Sequence, residues 1–195
     1  MFIALDIAIA DKSAIALWRE QHLLLPFKVI PQQNLHITLA FLGVINNKQQ
    51  NDIAKVISEK HDDIKQRLSN FLQGSYTNTN ALKLTLPQLG HFNKAQVLHL
   101  MPATSPDWLS YLEKVITEIC QQSNILLENR AYKPHLSLYR KAKTPLALPE
   151  PLLLNTRLPN GFFHQLSIKS FSLYHSYSNS SGVTYLPIHT WKLNY

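Results

Sequence analysis

The sequence predicts an α+β fold, on three observations. Apolar residues recur at helical spacing in three segments, at two-residue spacing in at least six others, and the two kinds are interspersed in the order strand, helix, strand, helix, two strands, helix, strands. At 195 residues, 45% of them hydrophobic, the chain suits one domain over 1–195 with a core of useful size.

Taken in order, "MFIALDIA" reads as a first strand over 2–9. The run is too short to span a bilayer, is interrupted by Asp6, and has neither a basic leader nor a cleavage site, so no membrane association is expected. "DKSAIALWREQHLLL" places Ala14, Leu17, Trp18, Gln21 and Leu25 at helical spacing, with Asp11 or Ser13 as cap. "NLHITLAFLG" gives a strand over 35–42. "NDIAKVISEKHDDIKQRLSNFL" aligns Ile53, Val56, Ile57, Ile64, Leu68 and Phe71 on one helical face, and its "HDD" at 61–63 reads as solvated surface. Strands follow over 81–89 and 96–101. "SPDWLSYLEKVITEICQQS" is a helix with Ser105 as cap, Pro106 in the first turn and an apolar face of Trp108, Leu112, Val115 and Ile119. A strand over 135–140, a proline-bearing connection "KTPLALPEPLLLNTRLPNG", and a hairpin of "LSIKSFSLYHSY" and "VTYLPIHTWKL" turning in "SNSSG" complete the chain. The single cysteine, Cys120, excludes an internal disulfide, reads as a helix-core thiol and suits a reducing cytoplasm.

The formal charge of +7 makes polyanions plausible partners. Its placement says more than its size. No acid stands between Glu128 and Glu150, whereas Arg130, Lys133, Arg140, Lys141 and Lys143 fall there and bracket "YKPHLSLYRK".

That segment repeats a pattern met half a chain earlier: His135 and Ser137 stand two apart, as His36 and Thr38 do. With nine histidines in the chain, chance alone gives about one such spacing, so the argument rests on context. Residues two apart on a strand share a face. Leu35, Ile37, Leu39 and Phe41 make one apolar face for the core, with His36 and Thr38 opposite; Leu136 and Leu138 oppose His135 and Ser137 in the same way. Two polar pairs on strands from the two halves predict two lobes that share a polar cleft.

Two imidazoles facing one substrate suit acid–base chemistry, because a group with an ordinary pKa near 6.5 is neutral or protonated at small cost around neutral pH. A phosphodiester needs that pair: a base to take a proton from water and an acid to protonate the departing oxygen. The hydroxyls of Thr38 and Ser137 suit the non-bridging oxygens, and Arg140 or Arg130 adds a bidentate fork. The scheme uses no metal and no cofactor; histidine–carboxylate metal spacings and Gly-x-Ser-x-Gly elbows are absent from the sequence.

With "MFIAL", "NLHITLAFLG", "LGHFNKAQVLHL", "ENRAYKPHLSLYR" and "FSLYHSYSNSSGVTYLPIHTWKL", the chain resembles, over nearly its full length, the two-histidine phosphoesterases, and among them the LigT-like RNA 2′,3′-cyclic phosphodiesterases, also called 2′–5′ RNA ligases. The resemblance implies a bilobal α+β fold with two antiparallel-rich sheets, helices packed outside and a central cleft. It implies metal-independent hydrolysis of an RNA terminal 2′,3′-cyclic phosphate, tRNA fragments included, to a 2′-phosphomonoester, with His36 as proton donor, His135 as acceptor, and Thr38 and Ser137 on the phosphate. Joining such an end to a 5′-hydroxyl is the family's other activity. A monomer is the default. Ser137 stands where threonine is usual, Lys28 where arginine is expected, and Tyr139 where a small residue is common, either crowding the cleft or stacking on a base; Phe41, on the apolar face, reads as core rather than base platform. Two other readings stand beside the first: a phosphodiesterase for a small cyclic nucleotide or an ADP-ribose cyclic phosphate, and a non-catalytic RNA-binding module using residues 130–143.

Overall fold

A computed structural model of the chain describes residues 1–73, 82–159, 164–180 and 182–193. Its elements are β1 (Phe2–Leu5), α1 (Ile9–His22), β2 (Lys28–Val29), a short 3-10 helix (Gln32–Asn34), β3 (Ile37–Phe41), α2 (Asn47–Gln73), β4 (Leu82–Leu86), β5 (Gln88–Phe92), β6 (Val97–Met101), α3 (Asp107–Gln122), β7 (Leu136–Arg140), β8 (His164–Ile168), β9 (Ser170–Asn179) and β10 (Gly182–Lys192). The α+β class holds, with antiparallel pairing between all of these strands.

One sheet runs β10-β9-β1-β3-β7-β6-β5, with β2 added beside β7, and a second joins β4 to β8. The run expected as one strand over 81–89 divides at Pro87, which cannot donate to a ladder: β4 goes to the small sheet and β5 to the large one. The run expected as one strand over 166–177 divides at Lys169, where β8 leaves β4 and β9 takes up β1 and β10. Residue 81 and Ser181 in the expected "SNSSG" turn lie outside the described residues.

α2 and α3 bury the faces their spacing marks, Phe71 at the end of α2 excepted, whereas α1 does not: of its expected face Ala14, Leu17 and Gln21 are exposed, and the helix is turned so that the neighbouring residues pack inward. In α1 the buried side chains are Ile15, Ala16, Trp18 and Arg19, and the helix begins at Ile9 without a side-chain cap. Ser13, expected as a cap, is inside the helix with its hydroxyl on the Ile9 carbonyl. Pro106 is the residue before α3, and Ser105 bonds Ser110 instead of capping it. Cys120 is buried on α3, and burial pushes its thiol up to about 12, so it is a core group. Trp108 Nε1 donates to the Lys83 carbonyl and ties α3 to β4, while Trp191 Nε1 donates to Ser58 and ties β10 to α2.

Ile3 and Leu5, Ile37 and Leu39, Leu98 and Leu100, and Leu136 and Leu138 form a continuous buried layer on one side of the large sheet. Burial of each such side chain is worth about 1.5–3 kcal/mol, enough in sum to fix the register of the strands that carry the histidines. Among the described residues no helix is long and apolar enough to cross a membrane.

Candidate active site

β3 and β7 meet at the pair Ile37↔Leu136, with both side chains fully buried. In an antiparallel pair the neighbours of such a couple point to the other face. His36 and Thr38 from β3 and His135 and Ser137 from β7 therefore come together on the side away from the core, as the alternation predicts. The chain of β2 occupies the same edge of β7 further along, at Lys28↔Arg140 and Val29↔Tyr139. It then leaves through the 3-10 helix and returns as β3, which places His36 directly after that excursion.

Both histidines are held alike. His36 Nδ1 donates to the carbonyl of Asn34 at 2.6 Å, and His135 Nδ1 donates to that of Lys133 at 2.8 Å, each two residues back. A carbonyl only accepts, so each Nδ1 carries the hydrogen and each Nε2 is left for a substrate. Asn34 is itself fixed by its amide donating to the Val183 carbonyl of β10.

Each imidazole also has a phenylalanine and a second ring against it. His36 lies 4.8 Å from Phe2 and meets Tyr185 edge-on at 5.1 Å. His135 meets Phe92 edge-on at 4.8 Å and His99 at 5.2 Å, and Phe92 stacks on His99 at 4.1 Å. His99 is buried and sits between Gly90 of β5 and Ser137 of β7. A Cβ on Gly90 would fall 2.4 Å from His99 Nε2, so the ring fits because position 90 has no side chain.

Two β-bulges decide where the residues after the motifs point. Ala4 pairs with Thr38 and Ile3 with Ala40, which leaves Leu39 as the extra residue of β3. His99 pairs with Ser137 and Leu98 with Tyr139, which leaves Leu138 as the extra residue of β7. Beyond a bulge the alternation is inverted. Phe41, expected in the core, is instead 58% exposed and faces the histidine side beside its partner Phe2, the ring that touches His36. Tyr139 neither crowds the cleft nor is free to stack on a base: it is 1% exposed, and its hydroxyl donates to the Leu23 carbonyl. Arg140 turns out to the histidine side in its place.

The two candidate arginines differ. Arg140 Nη2 donates to the Tyr185 hydroxyl at 3.3 Å, which brings it to the ring beside His36. Arg130 is engaged with Glu128 at 3.2 Å on the surface, and its charge still acts on His135. Lys28 lies directly across from Arg140, so the cation expected there as arginine is present as lysine. Arg19, buried at 3% exposure, donates to the carbonyls of Ile30 and Leu138 at 2.7 and 3.4 Å and ties α1 to β7.

Burial dominates the electrostatics. It holds His36 down at about 4, where the Asn34 carbonyl opposes it and the charges of His135, Lys12 and Arg140 add to it. Burial and then the charge of His135 hold His99 at about 4 as well. His135 is lowered by burial, with its Lys133 carbonyl opposing. All three rings are thus neutral at pH 7 in the free protein, and an anion in the site would raise them. Among the described residues no group of three or more His, Cys, Asp or Glu side chains is arranged to hold a metal ion.

Tyr185, His99 and Arg19 belong to the site or its support without a sequence motif that marks them. Tyr185 is on the last strand, His99 had only the marker of a polar residue in "VLHLM", and Arg19 stood on a helix face that reads as polar.

Paired, backbone-anchored imidazoles with a hydroxyl beside each are an arrangement suited to acid–base chemistry on a phosphoester. The family model described as the 2′-5′ RNA ligase superfamily matches residues 9–175, and the chain belongs to that family. It is 26% identical over 196 residues to an RNA 2′,3′-cyclic phosphodiesterase of Escherichia coli (strain K12), covering 99% of this chain and 96% of that protein. It is 24% identical over 146 residues to a Methanocaldococcus jannaschii protein of the same name, covering 72% of this chain and 70% of that one. Its fold is similar to the crystal structure of E. coli LigT complexed with 3′-AMP, with a TM-score of 0.74 at 24% identity, over 98% of this chain and 95% of that one.

Proposed function

We propose that this protein hydrolyses 2′,3′-cyclic phosphate ends of RNA to 2′-phosphomonoesters by paired-histidine acid–base catalysis. The observation that carries the reading is the pair of imidazoles, each anchored through Nδ1 to a carbonyl two residues back, flanking the Ile37↔Leu136 junction with a hydroxyl beside each. The family, and the names of the E. coli and M. jannaschii relatives, support it.

In this reaction His135, neutral with a bare Nε2, takes a proton from the attacking water. The water oxygen bonds to phosphorus, the bond from phosphorus to O3′ breaks, and His36 Nε2 protonates O3′ as it leaves. Thr38 and Ser137 donate to the non-bridging oxygens, where charge builds up, and the Arg140 guanidinium binds the phosphate throughout, before and during the reaction. Arg130, held on Glu128, acts on the site through its charge. His36 must bind a second proton before it can serve as donor, and the phosphate anion itself supplies the field that favours this. Donor and acceptor labels follow the family resemblance; the geometry treats the two rings alike. Ligation, attack of a 5′-hydroxyl in place of water on the cyclic phosphate, uses the same groups in the same roles: His135 takes the proton of the 5′-hydroxyl, a 2′–5′ phosphodiester bond forms, and His36 protonates O3′ as it leaves.

The two halves act as one bilobal unit over 1–195, a cytoplasmic monomer whose cleft is the histidine side of the sheet. The substrate is an RNA end, tRNA fragments among the candidates, with the terminal base on exposed Phe41 and the strand beside Lys28 and Arg140. The test is to incubate the protein with EDTA and an oligonucleotide ending in a 2′,3′-cyclic phosphate and to identify the product. A 2′-phosphomonoester is expected, formed faster than from mononucleoside cyclic phosphates; a 3′-phosphomonoester, or an intact end, contradicts the reading.

A further inference from the structure

Tyr185 belongs to β10, which in the large sheet is separated from β7 by β9, β1 and β3. Its side chain nevertheless reaches the second histidine strand. The ring meets Phe2 and His36 edge-on at 4.8 and 5.1 Å, and the hydroxyl accepts the hydrogen bond from Arg140 Nη2 at 3.3 Å. Among the described residues Arg140 makes no ion pair. Its cross-strand partner is Lys28, and like charges directly opposite each other on a sheet repel. Among the described residues no carboxylate lies within ion-pair distance of Arg140, and the Tyr185 hydroxyl is the side-chain acceptor that its guanidinium does have.

We propose that Tyr185 is a positioning residue for this site, whose hydroxyl holds the Arg140 guanidinium on the His36 side of the cleft, against the neighbouring charge of Lys28, ready for a substrate phosphate. The inference rests on the cyclic-phosphate reading only in taking a phosphate group as the ligand. A fork fixed before the ligand arrives loses less freedom on binding, so its contribution is to affinity. Because the phenol ring is already wedged against Phe2 and His36, removing the hydroxyl alone leaves the packing in place.

The experiment is a double-mutant cycle of Tyr185→Phe and Arg140→Ala, read as KM and kcat on a cyclic-phosphate-ended oligonucleotide and as the calorimetric Kd of 2′-AMP. Tyr185→Phe should raise both KM and Kd about 3–10-fold, the net worth of one ordinary hydrogen bond at an exposed position, with kcat held within about twofold. Added to Arg140→Ala, it should change nothing further. Unchanged KM and Kd in Tyr185→Phe, an equal loss with Arg140 already removed, or a loss confined to kcat each overturn the proposal. The Kd of 2′-AMP is read without turnover, so failure of the enzymatic reading and failure of the positioning role give different results.

Discussion

Leu39 and Leu138 are the extra residues of two β-bulges that stand at the same place in the two histidine strands, each directly after the hydroxyl residue of its motif. Each sends two consecutive side chains inward, Leu39 with Ala40 and Leu138 with Tyr139, and turns the next residue out: Phe41 on β3 and Arg140 on β7. The two strands are thus matched in backbone and differ in what the bulge presents, an aromatic ring on one side and a cation on the other. That is the division of labour a nucleoside phosphate requires.

Phe41→Ala tests the aromatic half. KM for a cyclic-phosphate end bearing a base should rise about 5–100-fold with kcat retained, since stacking on an aromatic side chain is worth about 1–3 kcal/mol per base. On a substrate whose terminal ribose carries no base, the variant and the wild-type protein should have equal KM. An unchanged KM on the base-bearing end would return Phe41 to a passive role.

Gly90→Ala tests the wall behind His135. The added methyl would meet His99 Nε2 at 2.4 Å, in a ring stacked on Phe92 and touching His135. We expect a loss of about 1–3 kcal/mol in stability, measured by denaturant unfolding, together with lower turnover. Replacing His99 by Ala in the same chain should restore part of the stability. A variant as stable and as active as wild type would mean that the ring has room elsewhere.

Arg19→Met removes the buried guanidinium from under Ile30 and Leu138 while keeping an apolar side chain of similar length. About 1–3 kcal/mol should be lost, because the Ile30 carbonyl is left without its donor. In a chain of this size that lowers Tm by roughly 2–10 °C, which calorimetry reads directly. No change in Tm would show that the guanidinium is dispensable.

Acid should destabilise the fold through its buried histidines. His36 and His99 are held at about 4 against an ordinary 6.5, so between these values the unfolded chain binds more protons than the folded one. Stability therefore rises with pH across that window and falls as pH drops through it, by up to about 1.4 kcal/mol per pH unit for each histidine. Denaturant midpoints measured from pH 7 to 4.5 should decline, and decline less in His36→Gln. A flat series would mean that the rings are not held neutral.

The alternation of apolar and polar residues in "NLHITL" and "PHLSL" was enough to place the four motif side chains on one face, because a two-residue period needs no knowledge of partners. It failed one residue later. A bulge is a property of two paired strands, and nothing in "LAF" or "LYR" announces it, so simple alternation puts Phe41 in the core and Tyr139 at the cleft, the reverse of what the paired strands do. Pro87 was a visible signal for the division of β4 from β5 that the hydrophobic run around it outweighed. Tyr185 and Arg19 were illegible for a different reason: their roles are defined by atoms 45 and 119 positions away, Arg140 and Leu138.

The most direct measurement compares the wild-type protein with His36→Ala and His135→Ala, chelator-treated, on an oligonucleotide ending in a 2′,3′-cyclic phosphate. Loss of general acid or general base should lower turnover about 10²–10⁴-fold in each variant, with the wild-type rate untouched by the chelator. Wild-type turnover in either single variant, or a wild-type rate abolished by EDTA and restored by a divalent cation, would contradict paired-histidine catalysis.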